Sequence, residues 1–223
     1  MARFLLSYFA KPLMKLAYFR TVDAAPDSAT SLSTRRSMKF FAIFCSGLLL
    51  TGACRADSPA IPDKNEVIKL LQLEHHFEGG YFRQTFKADQ RDKISTARGP
   101  RSTLTTIYYM LTDDTPVDHF HTKSSDGIEY YHMGAPITYH LIYPDGRYEA
   151  VVVGPDIRHG QQLQLAVKGG TWKAAELTKG QYGLVSEAVA PGWEMEDMVT
   201  PTREELLKLF PQHKDVIIRL TRP

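Results

Sequence analysis

Asp118–Gly134 reads DHFHTKSSDGIEYYHMG. Strand side chains alternate between faces, so an extended run here sets His119 and His121 on one face and Phe120 on the other. Beyond the Ser-Ser pair the chain turns and offers two carboxylates, Asp126 and Glu129, before Gly134. Paired imidazoles followed by acids in a β-rich chain point to a pocket for a metal or a small molecule.

Outward from this stretch the pattern stays strand-like from Tyr81 to about Val189. TLTTIYYML, APITYHLIY, YEAVVVG, LQLAVK and GLVSEAV are rich in β-branched and aromatic residues. Gly-Pro, Asp-Asp-Thr-Pro, Pro-Asp-Gly and Lys-Gly separate them, and YPDGRYEAVVV predicts a hairpin. Helices are confined to the ends. Asp63 and Glu66 form a capping box ahead of Val67, Leu70, Leu71 and Leu73, in a helix that Gly79-Gly80 breaks. Thr202 and Glu205 form a second, ahead of Leu206, Leu207, Leu209 and Phe210, with Pro211 as its stop. Asp215–Leu220 reads as a last strand. Many short strands between terminal helices predict an all-β sandwich or barrel.

The charge is divided. Residues 1–56 hold eight Lys/Arg against two Asp/Glu, leaving 19 against 23 in the body, so the net +2 conceals a basic leader and a mildly acidic domain. A body without a basic cluster argues against nucleic-acid binding. After Lys39 the run FFAIFCSGLLLTGAC is apolar for roughly a dozen residues and ends in small ones, the pattern of an export signal too short to span a bilayer. Arg35 and Arg36 precede Met38, which makes residues 1–37 either an overcalled start or a Ser-rich transit extension, and residues 38–53 or 38–56 the signal. LLLTGAC resembles a bacterial lipoprotein box with Cys54 as the lipidated residue. Thr51 departs from that pattern, and cleavage after Ala53 or Ala56 is the alternative. The expectation is an exported protein, periplasmic or membrane-anchored through Cys54 if bacterial, with a linker at 57–62 and a domain at 63–223. No cysteine follows Cys54, which rules out an intrachain disulfide and thiol catalysis in the body.

Four blocks carry a resemblance: HHFEGGYFRQTF (75–86), the His121–Pro136 segment, GGTWKAA (169–175) and VAPGWEMED (189–197). In this order they resemble a family of unknown function within the cupin superfamily, allied to the RmlC-like sugar-nucleotide epimerases. That family shows HPEGGYFRETY, a histidine-led block ending in Gly-x-Pro, Pro-x-Gly-x-Trp-Gln-Ala and VAPGF. The resemblance covers about residues 63–223 and implies a double-stranded β-helix, the cupin jelly roll, with short helices at its N-terminal and C-terminal ends. It also implies a homodimer joined along a sheet edge. Two departures bear on chemistry. Gly127 stands where cupins keep a glutamate, with Glu129 two residues on and about 7 Å along the same strand face. Trp172-Lys173 stands where metal cupins carry a histidine. With His119 and His121 as the only clear ligands, the expectation is no metal or a weakly bound divalent one.

Three functions follow from these residues. One is binding of a small carbohydrate-like or acidic ligand. The second is a sugar isomerase or epimerase reaction with His121 as base and Tyr131 as acid, Glu129 standing on the same face. The third is a weakly metal-dependent reaction at His119, His121 and Glu129. Arg83 and Tyr81 share a face in GGYFRQT, where the arginine either binds an anionic group or pairs with Glu78 or Glu187. Trp172 either stacks on a ligand or packs in the barrel, and Lys173 beside it is a further ligand contact. His132 and His140 fall on the opposite faces, as surface or sheet-packing residues.

Overall fold

The computed structural model describes residues 61–222. The leader at 1–56 with Cys54 and the linker up to residue 60 lie outside them. The chain runs α1 (Lys64–Leu71), β1 (Glu74–His75), β2 (Tyr81–Lys87), β3 (Ile94–Thr96), β4 (Gly99–Arg101), β5 (Thr105–Thr112), β6 (Val117–Lys123) and β7 (Asp126–Gly134). It continues through β8 (Ile137–Ile142), β9 (Tyr148–Val153), β10 (Gln164–Val167), β11 (Trp172–Glu176), β12 (Tyr182–Ala190), β13 (Met198–Val199), α2 (Arg203–Leu209) and α3 (Lys214–Leu220). One sheet is ordered β1-β2-β5-β12-β7-β10 and the other β13-β6-β11-β8-β9, with β3 and β4 as a separate hairpin. All named strand pairs are antiparallel. This is the all-β jelly roll that the four blocks imply.

The two sheets enclose an aliphatic and aromatic core. Leu111, Leu165 and Val185 from the first sheet meet Ile137, Tyr139, Leu141 and Val153 from the second. The predicted hairpin is β8–β9, with Ile142 opposite Tyr148 and Gly146 at φ +82° in the turn. Val67 and Leu73 lay α1 on the outer face of the first sheet against Met110, Tyr182 and Leu184.

Both capping residues form caps: Asp63 accepts from the amides of Asn65 and Glu66, and Thr202 and Glu205 form a reciprocal box. The ends differ from the sequence expectation in two places. α1 stops at Gln72, whose left-handed backbone (φ 53°) closes it well before Gly79-Gly80, and Leu70 is solvent-exposed. The segment read as a last strand is helix α3. Its β-branched Val216-Ile217-Ile218 run suggested extension, yet Ile217 and Leu220 sit three apart, the spacing of one helix face. That face packs with Leu206 and Phe210 against Phe120, Ile142 and Ala174 on the outside of the second sheet. Among the described residues no helix is long and apolar enough to cross a membrane.

Candidate active site

The site is built around an irregularity in β6. Lys173 of β11 pairs with His121 and Ala175 pairs with Asp118, so His119 and Phe120 together oppose one residue, Ala174. This bulge resets the alternation. Asp118 and His121, three apart, both turn into the barrel, whereas Phe120 packs outward beneath the helices. His119 leaves the cavity as well, its Nδ1 lying 3.4 Å from the Leu220 carbonyl of α3. The expected His119–His121 metal pair is therefore corrected: strand parity held the two together, and the extra residue separates them.

His121 is 1% exposed. Its Nδ1–H donates to the His119 carbonyl at 2.9 Å, which leaves the ring lone pair on Nε2, and Nε2 has no partner among the described residues. Burial, reinforced by the charges of Lys173 and Lys123, holds its pKa well below the ordinary histidine value, so the imidazole is neutral. Glu78 Oε1 and Asp118 Oδ1 each lie 3.6 Å from Nδ1. Burial pushes the Glu78 carboxyl up to about 7 and, with Glu78 beside it, raises Asp118 well above the usual carboxylate range. Glu78 reaches this position through the loop before β2. Gly79 takes φ +120° and leaves no room for a side chain, since a Cβ there would stand 2.0 Å from the Val117 carbonyl oxygen. Glu78, Asp118 and His121 each offer a ligand atom, all within 4.8 Å of one another, and form the group that could hold a cation.

Next to the histidine runs a chain of alternating charges. Lys173 Nζ donates to Glu129 at 2.5 Å and to Glu187 at 3.1 Å, and Lys123 donates to the other oxygen of Glu187. Glu129 and Glu187 are direct partners on β7 and β12, so the ammonium of Lys173 separates two carboxylates that would otherwise repel. Burial alone would lower Lys173, but Glu129, Glu187 and Asp118 hold it well above its ordinary value. Burial pushes Glu129 up to about 7 against the pull of Lys173. Burial would raise Glu187 too, but Lys123 and Lys173 outweigh it and keep this carboxyl well below the usual range.

The vacated glutamate position now has a physical account. A Cβ on Gly127 would stand 3.0 Å from Glu187 Oε1, so the carboxylate of β12 occupies the space beside residue 127. Restoring the family's residue should fail for that reason. Gly127→Glu is expected to lose about 3 kcal/mol or more of unfolding free energy in urea melts, because it buries a second carboxylate against the first. Adding Glu187→Gly should recover much of the loss. Wild-type stability in the single variant would contradict the assignment.

Of the residues singled out by sequence, His121, Glu129 and Lys173 line one cavity. The others do not. Tyr131 lies inward but packs with the hydrophobic core, and its hydroxyl is spent on the Gly134 carbonyl at 2.7 Å. Tyr81 and Arg83 face the other side of β2: Tyr81 packs near α1, and the Arg83 guanidinium lies 5.9 Å from the centroid of Tyr108. Their strand neighbours Phe82 and Gln84 enter the cavity instead. Trp172, adjacent to inward Lys173, must face outward and packs with the helices. His140 also lies under them, its two ring nitrogens on Tyr148 and Glu176, while His132 is exposed.

Sequence reasoning missed Glu78, Asp118, Lys123 and Glu187 as site residues. Glu187 carried a readable signal, since it shares strand parity with buried Val185 and Val189, and a lone acid on an apolar face needs a partner. Asp118 carried none, because strict alternation places it opposite His121.

A jelly roll whose inward strand residues converge on one polar cavity defines the cupin class. Residues 65–200 match the family described as Cupin superfamily (DUF985), and the chain belongs to that family. It is 33% identical over 156 residues to uncharacterized protein YML079W of Saccharomyces cerevisiae, an alignment covering 64% of this chain and 77% of the yeast protein. A hypothetical protein from Leishmania major has a similar structure, with 31% identity, 73% of this chain and 100% of that chain covered, and a TM-score of 0.69. Protein SO0799 from Shewanella oneidensis is similar at 31% identity, covering 73% and 99% of the two chains with a TM-score of 0.67.

Proposed function

We propose that this cupin binds a small carbonyl-bearing acid or carbohydrate-like molecule and moves a proton on the carbon next to its carbonyl, as an isomerase or epimerase. The observation that carries this reading is His121. It is buried and neutral, its Nδ1–H is fixed by a backbone carbonyl, and its Nε2 lone pair is unspent. An oriented ring with a free lone pair is the geometry a general base requires, at a basicity that burial lowers. Nε2 takes the proton, the C–H electron pair forms a C=C bond, and the carbonyl π pair moves onto the oxygen to give an enolate. Among the described residues Lys123 donates only to Glu187, so two of its three ammonium hydrogens remain for that oxygen. Glu78, whose carboxyl burial pushes up to about 7 so that a share of it is protonated at neutral pH, returns a proton to carbon, and exchange with solvent resets His121 and Glu78. Glu78 thus takes the role that sequence gave to Tyr131.

The test is solvent exchange in D2O over a panel of keto-sugars, uronic acids and α-keto acids, followed by NMR. At least one member is expected to gain deuterium at the carbon beside its carbonyl on the order of 100-fold faster than in buffer. No exchange above buffer across the panel would reject the reaction and leave a binding protein.

A second reading is favoured by the Glu78–Asp118–His121 group, whose Asp118 Oδ1 and His121 Nε2 lack partners among the described residues. Oxygen and imidazole donors of this kind suit a divalent transition metal. When bound there, such an ion supplies a Lewis acid that polarises the carbonyl oxygen. Elemental analysis of protein purified without a histidine tag decides it: less than about a tenth of an equivalent of metal rejects this reading.

A further inference from the structure

The cavity divides into two unlike halves. Its buried polar groups, Glu78, Asp118, His121, Glu129, Lys173 and Glu187, are all nearly inaccessible to solvent and form the floor. The wall above them is mostly apolar: Phe82 and Ile107 on β2 and β5, Val189 on β12, Trp193 beyond it and Met198 on β13, with Gln84 and Thr105 as its polar members. Of the apolar members Val189 is buried and the other four are partly exposed, so the apolar residues form the entrance. Globular surfaces ordinarily place charge outside and hydrocarbon inside. Here the order is reversed along the path a ligand takes.

Trp193 is fastened in place. Its backbone N–H donates to Thr105 Oγ1 at 2.9 Å, and the preceding Gly192 donates to the Ser102 carbonyl at 2.7 Å. Gly192 lies against β5 so closely that a Cβ there would stand 2.9 Å from Thr105 Cγ2. The indole is thus set on a rigid turn, yet its Nε1–H is buried and has no acceptor among the described residues. A buried indole N–H ordinarily finds an acceptor. An acceptor on the ligand is the partner that fits.

We propose that the ligand is an aryl acid. It has a flat ring against the apolar entrance wall with an oxygen accepting from Trp193 Nε1, and a keto-acid end on the charged floor beside His121 and Lys123. This rests on the proton-transfer reading and narrows its substrate class. A bare sugar acid carries hydroxyls around its whole ring, whereas on this wall only Gln84 and Thr105 have side-chain groups to pair with them and Phe82, Ile107, Val189 and Met198 have none, so burying it there leaves hydroxyls unsatisfied.

Calorimetric titration of the full chain with four probes tests the inference: pyruvate, galacturonate, phenylpyruvate and 4-hydroxyphenylpyruvate. Phenylpyruvate is expected to bind at least about tenfold tighter than pyruvate or galacturonate, through burial of its ring. 4-Hydroxyphenylpyruvate should gain about a further three- to tenfold from the indole N–H. Trp193→Phe keeps an aromatic wall and removes the donor, so it should abolish only that last gain. The wild-type ranking stands even if the variant does not fold. Pyruvate or galacturonate binding as tightly as phenylpyruvate would overturn the inference, as would a hydroxyl advantage that survives in Trp193→Phe. Deuterium exchange keeps the two readings apart. Exchange on a sugar acid without aryl preference sinks this inference and spares the proton transfer. Trp193-dependent aryl binding without exchange does the reverse.

Discussion

Lys173→Met should lower the unfolding free energy by about 3–5 kcal/mol at pH 8, because truncating one member of a buried ionic group leaves the others uncompensated. For a domain of this size that corresponds to a fall in Tm of roughly 6–20 °C. The reason is geometric. Without the ammonium, Glu129 and Glu187 face each other across β7 and β12 in a region almost closed to water. The penalty depends on pH with a definite sign. The Glu129 carboxyl already titrates near 7 in the folded protein, above its ordinary value of 4.5, and losing Lys173 raises it further. A raised folded pKa contributes stability below the unfolded pKa, and that stability is lost as pH rises through the folded value. The variant should therefore lie closer to wild type at pH 5 than at pH 8. Adding Glu129→Leu should restore much of the loss by removing the stranded charge. Urea melts at the two pH values check this, and a pH-independent loss below about 1 kcal/mol would show that the ladder is not a buried ionic unit.

The second large effect separates two histidines that sequence placed together. His121→Ala should reduce deuterium exchange by about 10²–10⁴-fold, the usual contribution of a general base. His119→Ala should leave exchange within about threefold of wild type, since its ring faces α3 and shares no wall with the cavity. A metal or base pair at His119 and His121 would instead make both substitutions severe. Equal loss in the two variants, with melts showing both folded, would contradict the bulge-based assignment.

The fold was legible because the signals behind it are local or repeated. The cap at Asp63, the capping box at Thr202, the Pro-Asp-Gly hairpin and four ordered blocks each report on nearby residues. Errors arose where geometry overrides a local rule. The Val216–Ile218 run favours a strand by composition, but burial of Ile217 and Leu220 against Phe120 makes it a helix. In β6 one additional residue opposite Ala174 turns Asp118 inward and His119 away, and no residue type in DHFHTK announces it. Glu129 and Lys173 were legible as polar residues at informative motif positions. Their pairing was not, because residues 44 apart in sequence meet only once β7 and β11 close the barrel. Gly127 looked like a missing ligand until Glu187 was found in its space.

The central claim is an uncharged imidazole at position 121, protonated on Nδ1 and bare on Nε2, on the polar floor of the cavity. Nitrogen-15 chemical shifts of the histidine rings, followed in intact protein from pH 5 to 8 and assigned with His121→Gln, report this directly. The account predicts one ring that keeps the Nδ1–H form without titrating across that range. A His121 ring that becomes doubly protonated near pH 6.5, or that carries its proton on Nε2, would contradict it.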